Sequence, residues 1–507
     1  MHRIMMTPAP HSPPHASRLQ RRTRSLIPFT VALVLARMAG WASRLVGRGG
    51  TSLPGKLLLH MRHDAIHRLA ARLDAHQVVL VSATNGKTTV CAMLATVFES
   101  CSLHVVHNMT GANLRSGVAT TLMRAPRQCD VLLLEIDEAT LPLVAAELTP
   151  DVLVLGNLFR DQLDRYGELD TIANRWITML DDPRLSGLSL VYNADDPLVA
   201  HIADTALEAS RGTISTVPFA MDDASVAREG MPHAADSRFC ARCASPLSFR
   251  VSWIGHLGDW SCPSCNRSRP TDGVRASTIT LDGVASSRIL LTRRQGERIT
   301  PFDEIVIRVP GLYNAYNALA AAAAACAAGI TPSKVSVGLT SFSPAFGRFE
   351  RIPVPGSGTI TLLLVKNPTG LNEVIRTLVD ARIDLSAVLF ALNDGIADGR
   401  DTSWIWDADI EPLISASRCG IVATGDRADE FALRWMYGGG SPESVTTIHD
   451  IEASLFDVLQ RARTLTDHGH CYALVTYTAM LRMRESIAAQ GWTQAFWERQ
   501  SHAGTAS

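Results

Sequence analysis

Apolar residues run along this chain in two rhythms. Short unbroken runs, QVVLVS at Gln77–Ser82, DVLLL at Asp130–Leu134 and DVLVL at Asp151–Leu155, are too short for helices and lack the alternation of a half-exposed strand. They predict strands buried on both faces, as in a parallel sheet covered by helices. Helical patterns, beginning with VCAMLATVFESC, lie between them, so residues 55 to about 230 predict an α/β unit.

From 221 to 285 the composition turns to Ser, Arg, Gly, Pro and Cys with no long apolar period, which marks an insertion. GLYNAYNALAAAAAACAAGI then predicts a strong helix, ended by Gly329 and followed by Pro332. GRFERIPVPGSGTITLLLVK opens a new strand-rich segment, and SAVLFAL, CGIVAT and CYALVTY alternate with helices up to residue 495, predicting a second, smaller α/β unit. The expected organisation is a basic disordered extension (1–28), an N-terminal helix (29–54), a central domain (55–340) holding an insertion (236–272), a C-terminal domain (345–495) and a tail (496–507).

The N-terminus needs separate treatment. The first 63 residues contain no Asp or Glu, and Arg3, Arg18, Arg21, Arg22 and Arg24 precede an apolar run, Leu26–Ala36. That run is about half the length of a membrane span, and no clean small-residue cleavage site follows it. VALVLARMAGWASRLVGR predicts instead a helix with Arg37, Arg44 and Arg48 on or beside its polar side, packing on the fold or lying at a membrane surface.

Composition narrows the class. With 507 residues, 46% hydrophobic and 19% charged, the chain reads as a soluble protein of about three domains. A net charge of -1 excludes a whole-molecule field for nucleic acid. Of ten cysteines, four form two CxxC pairs and the rest are scattered, which favours a reducing compartment and one metal site.

Two motifs carry chemistry. Strand, SATNGKTT loop and helix form the layout of a phosphate loop. Gly86 lets the backbone approach a phosphate, Lys87 brings positive charge, and the Thr88 hydroxyl can ligate magnesium at a helix N-terminus. Glu135 and Asp137, in LLLEIDE, fall at the carboxyl edge of a strand, where a second magnesium ligand is expected. The plain alternative is a strand-to-helix turn and two strand-end carboxylates.

Cys240-Ala-Arg-Cys243 and Cys262-Pro-Ser-Cys265, 18 residues apart, match the two knuckles of a zinc ribbon. Four thiolates leave no open position for catalysis, so the zinc is structural. The ribbon itself is either a structural knob or a nucleic-acid reader, since Arg242, Arg250, Arg267 and Arg269 decorate it, diluted by Asp236, Asp259 and Asp272.

Together ATNGKTT, LLLEIDE, TPDVLVLGNLFRDQLDRYGELD, NADDP, GLYNAYNALAAA and GRFE resemble, in this order, the Mur ligases. The ribbon, KNPTGLNEV, NDGIADGRDTSWIWD and TGDRADEFALR narrow the resemblance to the MurT-type synthetase subunits, over about residues 28 to 495. The resemblance implies a Mur-ligase-like central ATPase domain with an inserted four-cysteine zinc ribbon and a smaller Rossmann-like C-terminal domain. It implies ATP and Mg2+ as well as structural Zn2+, a GatD-type class I glutaminase as partner, and lipid II at the membrane surface as substrate, with no nucleic acid. The expected reaction is amidation of the stem-peptide D-glutamate through an acyl phosphate, by a protein in the cytoplasm or peripheral to the membrane. Only about 80 residues precede the phosphate loop, too few for the UDP-sugar-binding domain of ordinary Mur ligases. A Mur-type ligase adding an amino acid and a zinc-ribbon nucleic-acid ATPase are the alternatives.

Carried over by motif, Thr84, Asn85, Gly86, Lys87, Thr88 and Thr89 hold phosphates, Thr88 and Glu135 hold magnesium, Asn317 with Asn314 nearby meets adenine, and Arg348 reaches the nucleotide from the hinge. Two positions depart from the pattern: Ala83 stands for the usual glycine and Gln162 for a histidine. Ala83 is tolerable only at negative φ. In NDGIADGRDTSWIWD the resemblance implies that Asp401 serves the partner's Cys–His pair as the third member of a triad. Asp394 and Asp398 are expected to form the loop or touch substrate, and Asp407 to be structural.

Overall fold

The computed structural model describes residues 27–45, 52–108, 112–160, 169–228, 235–343, 348–356, 358–395, 397–466 and 469–493. The expected basic extension, apart from its last two residues, and the tail fall outside these.

Two sheets organise the chain. The larger runs, edge to edge, through Arg298–Pro301, Ser286–Gln295, Gly273–Asp282, Ser215–Met221, Ser189–Asn193, Val152–Leu155, Asp74–Ser82, Gln128–Glu135 and Val105–His107, with Ile305–Ile307 beside Ser286–Gln295. Its last seven strands are parallel, and Gly273–Asp282 joins them to the antiparallel edge. The continuous apolar runs are buried on both faces: Val79 and Val81 face one core, Leu80 the other. The second sheet orders Arg348–Pro353, Thr359–Leu364, Cys471–Val475, Val388–Ala391, Ile421–Thr424 and Val445–Thr447, parallel except at its first strand.

Three features place the functional loops. The alanine helix Leu312–Ala327 is buried almost throughout. Small side chains let it approach the helix Lys87–Ser100 and the sheet closely, since interaxial distance follows the side chains at the contact. Its second turn, at Asn317, therefore abuts the phosphate loop. In the insertion, the hairpin Ser248–Ile254 and Leu257–Ser261 sets its turn against the central sheet. Trp260 is buried there and donates its indole N–H to the Ala194 carbonyl at 2.9 Å. In the C-terminal unit Asn367 caps the helix Pro368–Asp380, accepting from the Gly370 amide at 2.8 Å.

The N-terminal segment forms two helices, Phe29–Leu45 and Leu53–Met61. Gly55 permits the second to lie directly on the helix Arg115–Arg124: a Cβ there would stand 1.9 Å from the Ser116 carbonyl oxygen. Phe29, Ala32, Leu33 and Ala36 pack inward, as expected of a packing helix. The outer side is not the expected polar one, because Val31, Val34, Leu35, Met38 and Trp41 occupy it. Arg37 reaches sideways to the Met123 carbonyl at 3.1 Å, while the Arg44 side chain and Arg48 lie outside the described residues. Among the described residues no helix is long and apolar enough to cross a membrane.

Candidate active site

The parallel strand Asp74–Ser82 delivers the loop Ala83–Gly86 to the N-terminus of the helix Lys87–Ser100. Gly86 turns the chain at φ 89°, and a Cβ on it would lie 2.1 Å from Asn317 Oδ1. Glycine is thus required twice, by conformation and by the close approach of the alanine helix. Ala83 is absent from the residues with positive φ, so the methyl group carries no backbone strain. Its room comes from elsewhere: a Cβ on Gly156 would fall 2.6 Å from Ala83 Cβ.

Lys87 is buried and donates to the Ala83 carbonyl and, at 2.8 Å, to Glu138 Oε2. Burial alone would lower the lysine's pKa, but the charges of Glu138, Glu135 and Asp137 outweigh it and hold the ammonium above its ordinary value. Burial would likewise raise the Glu138 carboxyl, but Lys87 and then Lys366 pull it below the usual range. The pair is charged on both sides. Trp176 fixes its backbone by donating to the Glu138 carbonyl at 2.9 Å.

Glu135, at the end of the neighbouring strand, is 3% exposed. Its Oε1 accepts from Asn113 at 3.2 Å, whereas Oε2 is buried with no hydrogen-bond partner. A buried carboxylate oxygen without a donor suits a cation, and Thr88 sits on the adjacent helix turn, so the residues present fit a magnesium ion bound with phosphates.

The C-terminal unit closes over this loop. Lys366 donates to the Thr84 carbonyl at 2.8 Å, and the amides of Asn85 and Asn367 bond reciprocally at 3.3 and 3.0 Å. A cleft opens beside the contact, lined by Gly86, Asn317, Phe159, Tyr313, Phe349 and Glu373 among others. Ile254 and Leu257, from the turn of the inserted hairpin, form part of its wall. Glu373 is 3% exposed and its Oε2 has no hydrogen-bond partner. Burial pushes its carboxyl up, against the opposing pull of Arg376 and Arg228.

Asn317 donates to Asn314 Oδ1 at 3.1 Å, and Asn314 to the Pro310 carbonyl at 2.7 Å, which leaves Asn317 Oδ1 turned to Gly86. The side chain of Arg348 and the whole of Gln162 lie outside the described residues. Of GRFE, the structure puts Phe349 in the cleft, with φ 59° in the left-handed region, where a bulky residue is strained. Sequence reasoning missed Glu138, Lys366, Asn367, Phe349 and Glu373. Glu138 was within reach as the last residue of LLLEIDE, but nothing local in KNPTG announces a contact 282 residues away.

The four ribbon cysteines converge. All their sulfurs lie within 4.8 Å of one another, with Cys240 to Cys265 at 3.7 Å and Cys243 to Cys262 at 3.5 Å. Tetrahedral thiolates with zinc bonds of about 2.3 Å would stand about 3.8 Å apart, and a disulfide would need about 2 Å. Each knuckle closes alike: Ala244 N to Cys240 O at 2.8 Å and Asn266 N to Cys262 O at 3.0 Å, with Ala244 and Asn266 both at positive φ. The residues fit a structural zinc. The arginines around them face carboxylates of the same chain: Arg250 meets Asp259, Arg267 meets Asp204, Arg269 meets Asp195 and Asp222, and Arg242 lies 3.5 Å from Glu208. Cations so compensated are poorly suited to reading phosphates, which favours the structural knob.

The four aspartates of NDGIADGRDTSWIWD separate. Asp398 is buried, accepting from the Thr478 amide at 2.8 Å and the Thr478 hydroxyl, which ties the loop to the helix Tyr477–Ala489. Asp394 pairs with Arg427 at 2.8 Å. Asp407 is exposed. Asp401 is exposed too, accepting from the Ser403 amide at 2.9 Å, and the hydroxyl and amide of Ser403 hold its carboxyl below the usual range.

Residues 364–480 match the family described as MurT ligase C-terminal, and residues 81–240 match the Mur ligase middle domain. The chain is 31% identical over 469 residues to the lipid II isoglutaminyl synthase (glutamine-hydrolyzing) subunit MurT of Streptococcus pneumoniae, covering 91% of this chain and 97% of that one. This chain belongs to the MurT family. The MurT subunit of Staphylococcus aureus N315 is 29% identical over 458 residues, 90% of this chain and 97% of its own. The Mur-ligase fold is shared with a pseudomurein peptide ligase type C from Methanothermus fervidus, at TM-score 0.61, 21% identity, and coverage of 83% of this chain and 80% of that one. The MurT family thus joins the phosphate loop and the KNPTG segment in one chain, as the geometry does.

Zinc content is measurable directly. Emission spectroscopy on the purified chain is expected to find one zinc per molecule. Removing it with a chelator, or by Cys262→Ser with Cys265→Ser, should lower the thermal midpoint and weaken nucleotide binding through the Ile254–Leu257 turn. A metal-free protein with both properties unchanged would contradict the assignment.

Proposed function

We propose that this chain is the synthetase subunit of a glutamine-hydrolysing ligase that converts the α-carboxylate of D-glutamate in the lipid II stem peptide to its amide. The relatives' names carry the reaction class, and the observation that carries the chemistry is the charged loop. Lys87, held protonated by three carboxylates, sits beside a buried carboxylate oxygen with no donor. Opposite charges fixed in one dry site suit phosphoryl transfer, where binding, orientation and charge stabilisation supply most of the catalysis.

In this reading Lys87 and the amides of Gly86 to Thr89 grip the phosphates of ATP, while Thr88 and Glu135 would hold a magnesium ion, which would neutralise phosphate charge. Asn317 and the cleft around Tyr313 and Phe349 take the adenine. A carboxylate oxygen of the substrate attacks the terminal phosphorus and ADP leaves. Ammonia then attacks the acyl carbon of the mixed anhydride, phosphate leaves, and a proton passes from nitrogen to solvent. Ammonia comes from glutamine at a GatD-type glutaminase subunit docked on the C-terminal unit.

Asp401 belongs to that docking. It orients and stabilises the histidine of the partner's Cys–His pair, which is why a carboxylate with its own turn to hold it faces outward here. Trp406, 46% exposed, and Tyr437, 76% exposed, meet edge to face at 5.6 Å on the same unit, a form of surface that suits a protein partner.

With lipid II, glutamine, ATP and the glutaminase, mass spectrometry should show a product one dalton lighter than the acid (about 1 Da, hydroxyl exchanged for amine), with ADP formed in step. No amide under saturating conditions, or incorporation of a free amino acid without the partner, would overturn the proposal. Separately, Asp401→Asn should leave ATP binding and complex formation intact while glutamine hydrolysis falls by orders of magnitude, roughly as for other triad carboxylates. Unchanged hydrolysis would remove Asp401 from the triad.

A further inference from the structure

The helix Phe29–Leu45 has two apolar faces. Phe29, Ala32, Leu33 and Ala36 are buried, whereas Val31, Val34, Leu35, Met38 and Trp41 are between 44% and 62% exposed. At 3.6 residues per turn the two sets centre on opposite sides of the helix. Leu53, at the start of the next helix, is also 51% exposed. A helix on a water-facing surface ordinarily turns charge outward. This one turns out valine, leucine, methionine and tryptophan in a continuous stripe.

Charge says what covers it. Between residues 1 and 63 stand Arg3, Arg18, Arg21, Arg22, Arg24, Arg37, Arg44, Arg48, Lys56 and Arg62, and no acid. The first carboxylate, Asp64, is paired with Arg62 at 2.7 Å and Arg68 at 2.5 Å. Arg37 flanks the stripe and Lys56 is exposed on the adjoining helix. An apolar stripe with Trp41 on it, flanked by Arg37 in a segment of sequence that carries cations and no acid, has the chemistry of a helix lying in the headgroup region of an anionic bilayer. A second copy of the chain is disfavoured, because self-pairing would bring two acid-free basic segments together.

We propose that the outer face of Phe29–Leu45 is a docking surface for an anionic phospholipid bilayer. It holds the enzyme beside a lipid-linked substrate; for that purpose, though not for the binding itself, the proposal rests on the function proposed above.

The test uses the full chain and vesicles of phosphatidylcholine with and without phosphatidylglycerol, free of any cell-wall precursor, so that its outcome is independent of amidation. Sedimentation should show binding to the anionic vesicles only, weakened by salt. Met38→Glu with Trp41→Glu should reduce partitioning about tenfold or more, with the thermal midpoint and ATP binding kept. If that pair lowers the midpoint, Val34→Gln with Leu35→Gln carries the same test. No binding by the natural chain, or equal binding by the variants, would overturn the proposal. So would a variant whose only loss is self-association or co-purification with the glutaminase, since that assigns the face to a protein. Vesicle binding without amide formation would instead leave this surface standing and remove the proposed reaction.

Discussion

The site depends on a contact between two distant pieces of chain, the phosphate loop and KNPTG. Lys366 donates to the Thr84 carbonyl, and the side-chain amides of Asn85 and Asn367 satisfy each other. A phosphate loop alone provides a cradle open on one side. The C-terminal unit adds a second cation, whose charge is already felt at Glu138, and sets Phe349 and Glu373 opposite the alanine helix. Asn367 also caps its own helix, so the group that recognises the loop is fixed by the secondary structure it starts.

The inserted ribbon has a place in the same arrangement. With a single hairpin and little core of its own, it is the kind of unit whose four convergent cysteines would be held by a metal. Once held, it is pinned by Trp260 on Ala194 and by Arg269 on Asp195, and the Ile254–Leu257 turn projects into the cleft wall. Tyr316 joins these parts, since its hydroxyl donates at 2.8 Å to the same Asp195 that receives Arg269. The arginines of the ribbon are spent on this internal bracing.

Much of the fold was legible because its signals are local. Unbroken apolar runs marked strands buried on both faces, the CxxC spacing marked the cysteine cluster, and strand–GKT–helix marked the loop. Local patterns also explain the errors. Arginines near an apolar run suggested a polar outer face for Phe29–Leu45, but apolar residues at i, i+3, i+4 and i+7 fit two opposite stripes when small residues such as Ala32 and Ala36 line one of them. Ala83 read as tolerable only at negative φ, and the room for its methyl group comes from Gly156, 73 residues later, which no local pattern announces. Lys366, Asn367 and Glu373 could not be read as site residues, because their role exists only where the second sheet meets the first. The aspartate loop was ambiguous for another reason: the same residue type caps a helix neighbour at Asp398, pairs with Arg427 at Asp394, and stands exposed at Asp401.

The closure of the second unit on the loop is tested by calorimetric titration of a non-hydrolysable ATP analogue into Lys366→Ala. Removing a charged donor from the loop at a partly buried contact should weaken affinity by about 10- to 100-fold. The thermal midpoint of the nucleotide-free chain should change little, because the backbone carbonyl of Thr84 also receives Lys87. Affinity equal to that of the natural chain would show that the contact does not shape the nucleotide site.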